Sequence, residues 1–303
     1  MKKIFSIKIN IFIILISVNY SLLAHPLSEK FDPNNAYNEI VKLIKFSPRD
    51  AGTTNGNNAA MHIKERLDSH SIKTKLQYFT DSTPVGKKNM INIIGYIPGK
   101  KDEWIIIGSH FDTMPGIKNY IGANDSGSST GILIELSRIL NDVELKYGII
   151  LVFFDGEEGI KNYIPGDGLH GSRYFVNDIK KSGFYKKCKA MILLDMVGDK
   201  DLTFTLPGNT APILRKHLFT SAKKNNLEEY ILPMDHIFII DDHVPFQNIG
   251  IPSINLIDFH FGSQKGLNDY WHTSNDNLDK ISQNSLGITS EILINLLDEL
   301  GIF

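Results

Sequence analysis

Two adjacent glutamates, Glu157 and Glu158, close the apolar run YGIILVFFDGEE. Five more residues of metal-ligand type stand in comparable places. His110 and Asp112 lie in IIIGSHFD, Asp125 in GANDSG, Asp195 in MILLDMVG and His272 in YWHTSND. The GANDSG segment opens a helical pattern, and the other segments follow or end apolar runs. An α/β sheet presents its functional groups at such points. A paired glutamate suits a division of labour in which one carboxylate binds a metal and its neighbour moves protons.

Each residue also has a plainer reading. His110 after a strand can be a hydrogen-bonded structural residue, with Asp112 orienting its ring by accepting the second ring proton. Asp125 can be a helix N-cap. Asp195 can simply terminate a strand, and His272 beside Trp271 can be packed and neutral. Taken together, these plain readings need unrelated coincidences at several strand ends. Nitrogen and oxygen donors suit zinc, which keeps about three protein ligands and one open position at a catalytic site. Asp125, Glu158 and His272 would supply that set. A second ion would need His110 and Asp195, with Asp125 bridging over roughly 3.5–4 Å. Histidine is a poor ligand for hard cations, which argues against calcium or magnesium.

The elements that must position these residues are legible as patterns. WIIIGSH, GIILVFF, AMILLDMV and IPSINLI are near-continuous apolar runs, as expected of strands covered on both faces. Residues 72–79 alternate as an edge strand does, and 90–97 form another strand stopped by Pro98 and Gly99. Helical spacing marks 36–46, 57–69, 126–140, 171–179, 211–225 and 281–300, and SPRDAGTTNG reads as a polar loop. The expected fold is an α/β three-layer sandwich with a mixed, mostly parallel central sheet between helices.

A chain of 303 residues, 42% hydrophobic and with a formal net charge of -2, is large enough for one core and shows no linker. It lacks the long basic block that a nucleic-acid partner would need. Lys2 and Lys3 precede an apolar stretch at 9–18, and Leu22, Leu23 and Ala24 end it. Residues 1–24 therefore read as a signal peptide, and 25–303 as one exported catalytic domain, periplasmic or secreted. The competing reading is a retained anchor, although the stretch is short for a span of roughly 20 residues. The single cysteine, Cys188, excludes an intramolecular disulfide and reads as an incidental thiol on a lysine-rich, solvated loop.

The ordered set HFD, ND, EE, LLDM and WHT resembles the superfamily of zinc-dependent aminopeptidases and glutaminyl cyclases, over residues 36–300. The segment SPRDAGTTNGNNAAMHIKERL is similar to that superfamily's first helix and the loop before it. DDHVPF at 241–246 and the insertion GIKNYIPGDGLH after Glu158 resemble the secretory, animal-type glutaminyl-peptide cyclotransferases. There are departures from that branch. Tyr163 stands where animal enzymes carry Trp, Ser109 where they carry Cys, and Asn255 where they carry His. The stretch FHFGSQKGLND before Trp271 is long.

The resemblance implies zinc-dependent conversion of N-terminal glutamine to pyroglutamate with loss of ammonia, on peptide or protein substrates. It implies Glu157 as the proton carrier, Asp195 and Asp241 as its supports, and Trp271 and Tyr163 as pocket walls. One zinc ion is expected; two are compatible with the residues. The alternative is a co-catalytic metallo-aminopeptidase of the same fold, and a non-catalytic binding module is a third reading.

Overall fold

The computed structural model describes residues 25–161 and 166–303. In chain order the elements are α1 (Pro33–Leu43), α2 (Thr54–Ser69), β1 (Lys73–Thr83), β2 (Gly86–Ile97), β3 (Lys101–His110) and α3 (Gly127–Leu140). They continue with β4 (Tyr147–Phe154), α4 (His170–Lys181), β5 (Cys188–Asp195), β6 (Phe204–Pro207) and α5 (Pro212–Asn225). The last are β7 (Ile231–Met234), α6 (Val244–Gln247), β8 (Ser253–Ile257) and α7 (Gln283–Glu299).

Among the described residues, six strands form the main sheet in the order β1-β2-β4-β3-β5-β8. β3 pairs in parallel with β4 and β5, and β5 with β8, while β2 is antiparallel to both β1 and β4. The sheet is thus mixed and mostly parallel between helix layers, as expected. Alternate side chains sort its two faces. Ile105, Ile107, Ile149, Leu151, Ile192 and Leu194 join the core under α1, α2, α3, α5 and α7. Ile106, Ile150, Val152, Met191 and Leu193 pack against α4 and α6. Burial on both faces explains why these strands read as continuous apolar runs.

The helices start where the chain offers caps. The Asp32 side chain accepts the Asn34 N–H ahead of Pro33, and Thr53 accepts the Gly56 N–H. The Thr53 cap starts α2 at Thr54, three residues before the expected start, and shortens the polar loop. β1 and β2 run on to meet at Thr83 and Gly86, making a longer hairpin than the alternation alone indicated. The short pair β6 and β7 was not anticipated. Cys188 opens β5 and is only 9% exposed, so it is not on a solvated loop. Burial pushes its thiol up to about 12.

Sheet order decides where a site can form. After β3 the chain crosses to β4 on one side, and after β4 it returns to β5 on the other. The carboxyl ends of β3, β4 and β5 therefore flank a crevice at this reversal. No helix among the described residues is long and apolar enough to cross a membrane.

Candidate active site

Those strand ends deliver the expected residues. His110 is the last residue of β3, Asp195 the last of β5, and Glu157 and Glu158 follow β4 across a turn at Gly156. Gly156 has φ +72°, and a Cβ there would lie 2.9 Å from the Met90 sulfur. Glycine is required to turn the chain this tightly into the glutamate pair.

The side chains form two overlapping clusters of imidazole and carboxylate, His110–Asp125–Asp195 and Asp125–Glu158–His272. His110 Nε2 lies 3.1 Å from Asp125 Oδ1 and 3.3 Å from Asp195 Oδ1. His272 Nε2 lies 3.0 Å from Glu158 Oε1 and 3.4 Å from Asp125 Oδ2. Asp125 thus gives one oxygen to each cluster, the arrangement of a bridging ligand. It is not a helix cap. α3 begins at Gly127 behind Ser126, which makes no capping side-chain bond, and Asp125 faces the crevice instead. His272 has φ +53° and Met196, directly after Asp195, has φ +48°. Non-glycine residues avoid this region, and such strain concentrates where a site over-determines the backbone.

The clusters open into a cavity of about 440 Å³ whose lining includes Glu157, Asp241, Met114, Ile257, Phe259 and Trp271 as well as the segment Ile237 to Ile240. Trp271 stacks on the His272 ring with centroids 4.0 Å apart and also meets Phe259. Asp241 is fixed by the Asn255 amide, which donates to Oδ2 at 2.6 Å, and by the Asp242 N–H, which donates to Oδ1 at 2.5 Å. Tyr163, the other expected wall, lies outside the described residues. Nearby, the Asp167 carboxylate accepts the Ile160 and Lys161 N–H groups, each at 2.9 Å, and so ties the two ends of the insertion together.

The electrostatics are those of crowded, buried acids. Burial pushes Glu157 well above the usual carboxylate range, and Asp241 and Glu158 nearby push the same way. Burial, then the Asp125 charge, brings Glu158 up to about 7. Asp195 and Asp241 are raised for the same first reason. Burial opposes charge on His272 and His110, but the facing carboxylates outweigh it and raise both, His272 to about 10. Asp125 is held well below the usual range because the two imidazoles outweigh its burial. No Lys or Arg lines the cavity among the described residues, although Asp125, Glu157, Glu158, Asp195 and Asp241 all do. Two imidazoles are too few to offset five buried acids, and buried acids left without a countercharge are strongly unfavourable. The shared donor set of two imidazoles and three carboxylates fits a divalent cation of the zinc type.

Other residues that build the site gave little or no sequence signal of their role. Asp112 Oδ1 stands 3.5 Å from His110 Nδ1, within ion-pair distance of that ring. Its carboxylate also accepts the N–H groups of Glu157 at 3.1 Å and Glu158 at 3.2 Å, fixing the pair across the β3–β4 crevice. Asp276, at the end of WHTSND, does the same for Asn124 at 2.7 Å and Asp125 at 3.0 Å. The buried Tyr120 hydroxyl donates to Asp125 Oδ2 at 2.9 Å. Arg49 is fully buried behind both ligand loops.

Residues 92–297 match the peptidase family M28. Among solved structures, the glutaminyl cyclase of an Acidobacteriales bacterium is 34% identical, covering 89% of this chain and 94% of that one, with a TM-score of 0.83. The glutaminyl cyclase of Porphyromonas gingivalis is 31% identical, covering 91% of this chain and 100% of that one, with a TM-score of 0.81. The glutaminyl-peptide cyclotransferase of Drosophila melanogaster is 27% identical over 296 residues, 86% of this chain and 80% of the fly protein. With strand ends, paired glutamates and shared aspartate arranged as above, and with these relatives spanning nearly all of it, the chain belongs to peptidase family M28, within its glutaminyl cyclases.

Proposed function

We propose that the chain is a glutaminyl-peptide cyclotransferase, converting the N-terminal glutamine of peptides or proteins into pyroglutamate with release of ammonia. The observation that carries this is that Glu157 and Asp241, both buried, line the cavity onto which the imidazole–carboxylate clusters open. Similarity to the glutaminyl cyclases supports it.

Asp125, Glu158 and His272 would hold a zinc ion, which supplies Lewis acidity toward the γ-amide oxygen of the substrate. Glu157, with its raised proton affinity, is suited to take a proton from the substrate α-amine. The amine nitrogen then bonds to the side-chain amide carbonyl carbon, Cδ, and closes a five-membered lactam. Glu157 returns the proton to the amide nitrogen, the bond from Cδ to that nitrogen breaks, and ammonia leaves. Asp241, held by Asn255, and Asp195 steady this exchange by hydrogen bonding. Trp271 walls the glutamine side chain, as does Tyr163 in this reading. Amine and amide belong to one residue, so positioning supplies much of the rate.

We read residues 1–24 as the export signal and 25–303 as one catalytic domain, which places the reaction outside the cytoplasm. One observation favours a second activity. The His110–Asp125–Asp195 cluster is complete, so a second ion and an aminopeptidase reaction, with Glu157 activating water, are compatible with the donors present.

The test is product mass on a peptide that begins with glutamine. Cyclisation yields one product lighter by the mass of ammonia. Release of free glutamine with a shortened peptide would instead establish the peptidase.

A further inference from the structure

A proton carrier works only where its backbone is held still, and the chain grips Glu157 from both sides. The Glu157 N–H donates to Asp112. The Glu157 carbonyl accepts the Leu169 N–H at 2.9 Å, and the Gly156 carbonyl beside it accepts the His170 N–H at 2.8 Å. The start of α4 therefore sits directly on the turn that presents the glutamate pair. A Cβ on Gly156 would stand 3.2 Å from the His170 Cβ, so the two segments pack closely.

Residues 168–170 do not hold this shape alone. Leu169 has φ +52°, a region that non-glycine residues avoid, and no side chain caps α4. The His170 ring, which is fully buried, supplies the hold. Its Nδ1 lies 2.7 Å from Asp81 Oδ2, and its Nε2 lies 3.3 Å from the Gly168 nitrogen. A carboxylate accepts and a backbone N–H donates, so Nδ1 carries the proton and Nε2 accepts. One neutral tautomer satisfies both bonds. Arg173 Nη2 approaches the same Asp81 oxygen at 3.6 Å, and Asp167 Oδ1 stands 3.7 Å from Nε2. Asp81 belongs to β1, so the ring ties the β1–β2 hairpin to the segment behind Glu157.

We propose that His170, locked by Asp81, is a positioning residue for Glu157. The proposal rests on Glu157 being the proton carrier of the proposed reaction. The path is short and continuous. It runs from Asp81 to the His170 ring, from the ring to Gly168, and from the Leu169 and His170 N–H groups to the carbonyls of Glu157 and Gly156. Neither Asp81 nor His170 lines the cavity or belongs to a donor cluster, so their loss leaves metal and substrate contacts in place. A reacting group displaced by about 1 Å can lose roughly a hundredfold in rate. A buried histidine that only packs would cost stability and leave the kcat of folded enzyme unchanged.

The experiment measures kcat, KM and zinc content of the folded, zinc-loaded enzyme on a glutamine-initiated peptide. His170→Phe fills the space but offers neither donor nor acceptor. It should lower kcat by about tenfold or more, with KM within about twofold and zinc content as in the wild type. His170→Asn, whose amide nitrogen can replace Nδ1 toward Asp81, should restore most of that loss. Asp81→Ala should also lower kcat. The double variant Asp81→Ala, His170→Phe should be no slower than the slower single variant, because the two act as one unit. Leu218→Ala, fully buried in α5, should lose stability and keep the wild-type kcat. Wild-type kcat in His170→Phe overturns the proposal. So do losses that multiply in the double variant, or zinc lost in step with activity. Should His170→Phe fail to fold, Asp81→Ala carries the test, since that side chain is 40% exposed; an unchanged kcat there overturns the proposal. Release of free glutamine overturns the proposed function instead, and the kcat comparison still reads His170, because Glu157 moves the proton in either reaction.

Discussion

Arg49→Lys should weaken both the fold and the metal site. The Arg49 guanidinium has no solvent exposure. Its Nε donates to Phe111 O at 2.8 Å, between His110 and Asp112. Its Nη1 donates to Ser47 Oγ at 2.7 Å and Ile121 O at 2.6 Å, and its Nη2 to Gly122 O at 3.0 Å, just ahead of Asp125. One planar cation thus braces two ligand loops through their carbonyls. Lysine keeps the charge but not the fork, and can satisfy about half of these acceptors. A bond from a charged donor contributes roughly 1.5–3 kcal/mol. Two such losses sum to about 3–6 kcal/mol, and non-additivity within one network favours the lower end. A loss of about 3 kcal/mol should lower Tm by roughly 6–12 °C in a chain of this size. Outer-sphere supports of metal ligands typically govern 10–100-fold of affinity. Zinc affinity, read by chelator competition at 25 °C, should therefore fall at least about tenfold. Leu67→Ala in α2 is the control, since Leu67 is fully buried and makes no bond to the ligand loops. It should cost about 2–5 kcal/mol of stability and leave zinc affinity unchanged. If Arg49→Lys loses stability but binds zinc as the wild type does, Arg49 is core packing and the bracing argument fails.

Two further outcomes follow from the same geometry. His272→Ala should lose metal content rather than merely slow turnover, because its Nε2 faces both Glu158 and Asp125; full occupancy by elemental analysis would move the site elsewhere. Acid sensitivity should trace in part to His243, which burial holds down at about 4. Its neutral ring accepts from Asn209 at 3.0 Å, so the folded state resists the proton that the unfolded chain takes near pH 6.5. Stability is then full above about pH 6.5 and falls as pH drops toward 4, by up to roughly 1.4 kcal/mol per unit. His243→Gln should flatten that limb between pH 6.5 and 5, as read from urea midpoints; an unchanged slope removes His243 from the account.

The sequence made the sheet legible where both faces are buried. The four central strands have no polar face to interrupt them, so they stand out as runs, and the ligand residues at their ends stand out with them. β6 and β7 did not, because FTLP and ILPM are four residues each and both contain proline. The role of Asp112 was legible only in part. Adjacency in sequence suggested the His110 ring, whose Nδ1 lies 3.5 Å away, but gave no sign that the β3–β4 register, with His110 opposite Phe154, also brings the Glu157 and Glu158 amides within reach. Asp276 and Arg49 bond mainly to backbone, and no side-chain pattern reports a backbone partner. The apolar segment at 237–240 was silent because its direction depends on Gly208 and Asn209, distant in sequence, which pin its backbone.

The central claim is that adjacent glutamates divide the work, Glu158 within the metal cluster and Glu157 on the proton. The direct measurement is metal content and turnover of Glu157→Gln on one sample. That change keeps the backbone N–H that donates to Asp112 and leaves both donor clusters intact. Metal content should equal that of the wild type while turnover on a glutamine-initiated peptide falls by about 10²–10⁴, the range of general acid–base effects. Wild-type turnover, or loss of the metal with the activity, would contradict the division.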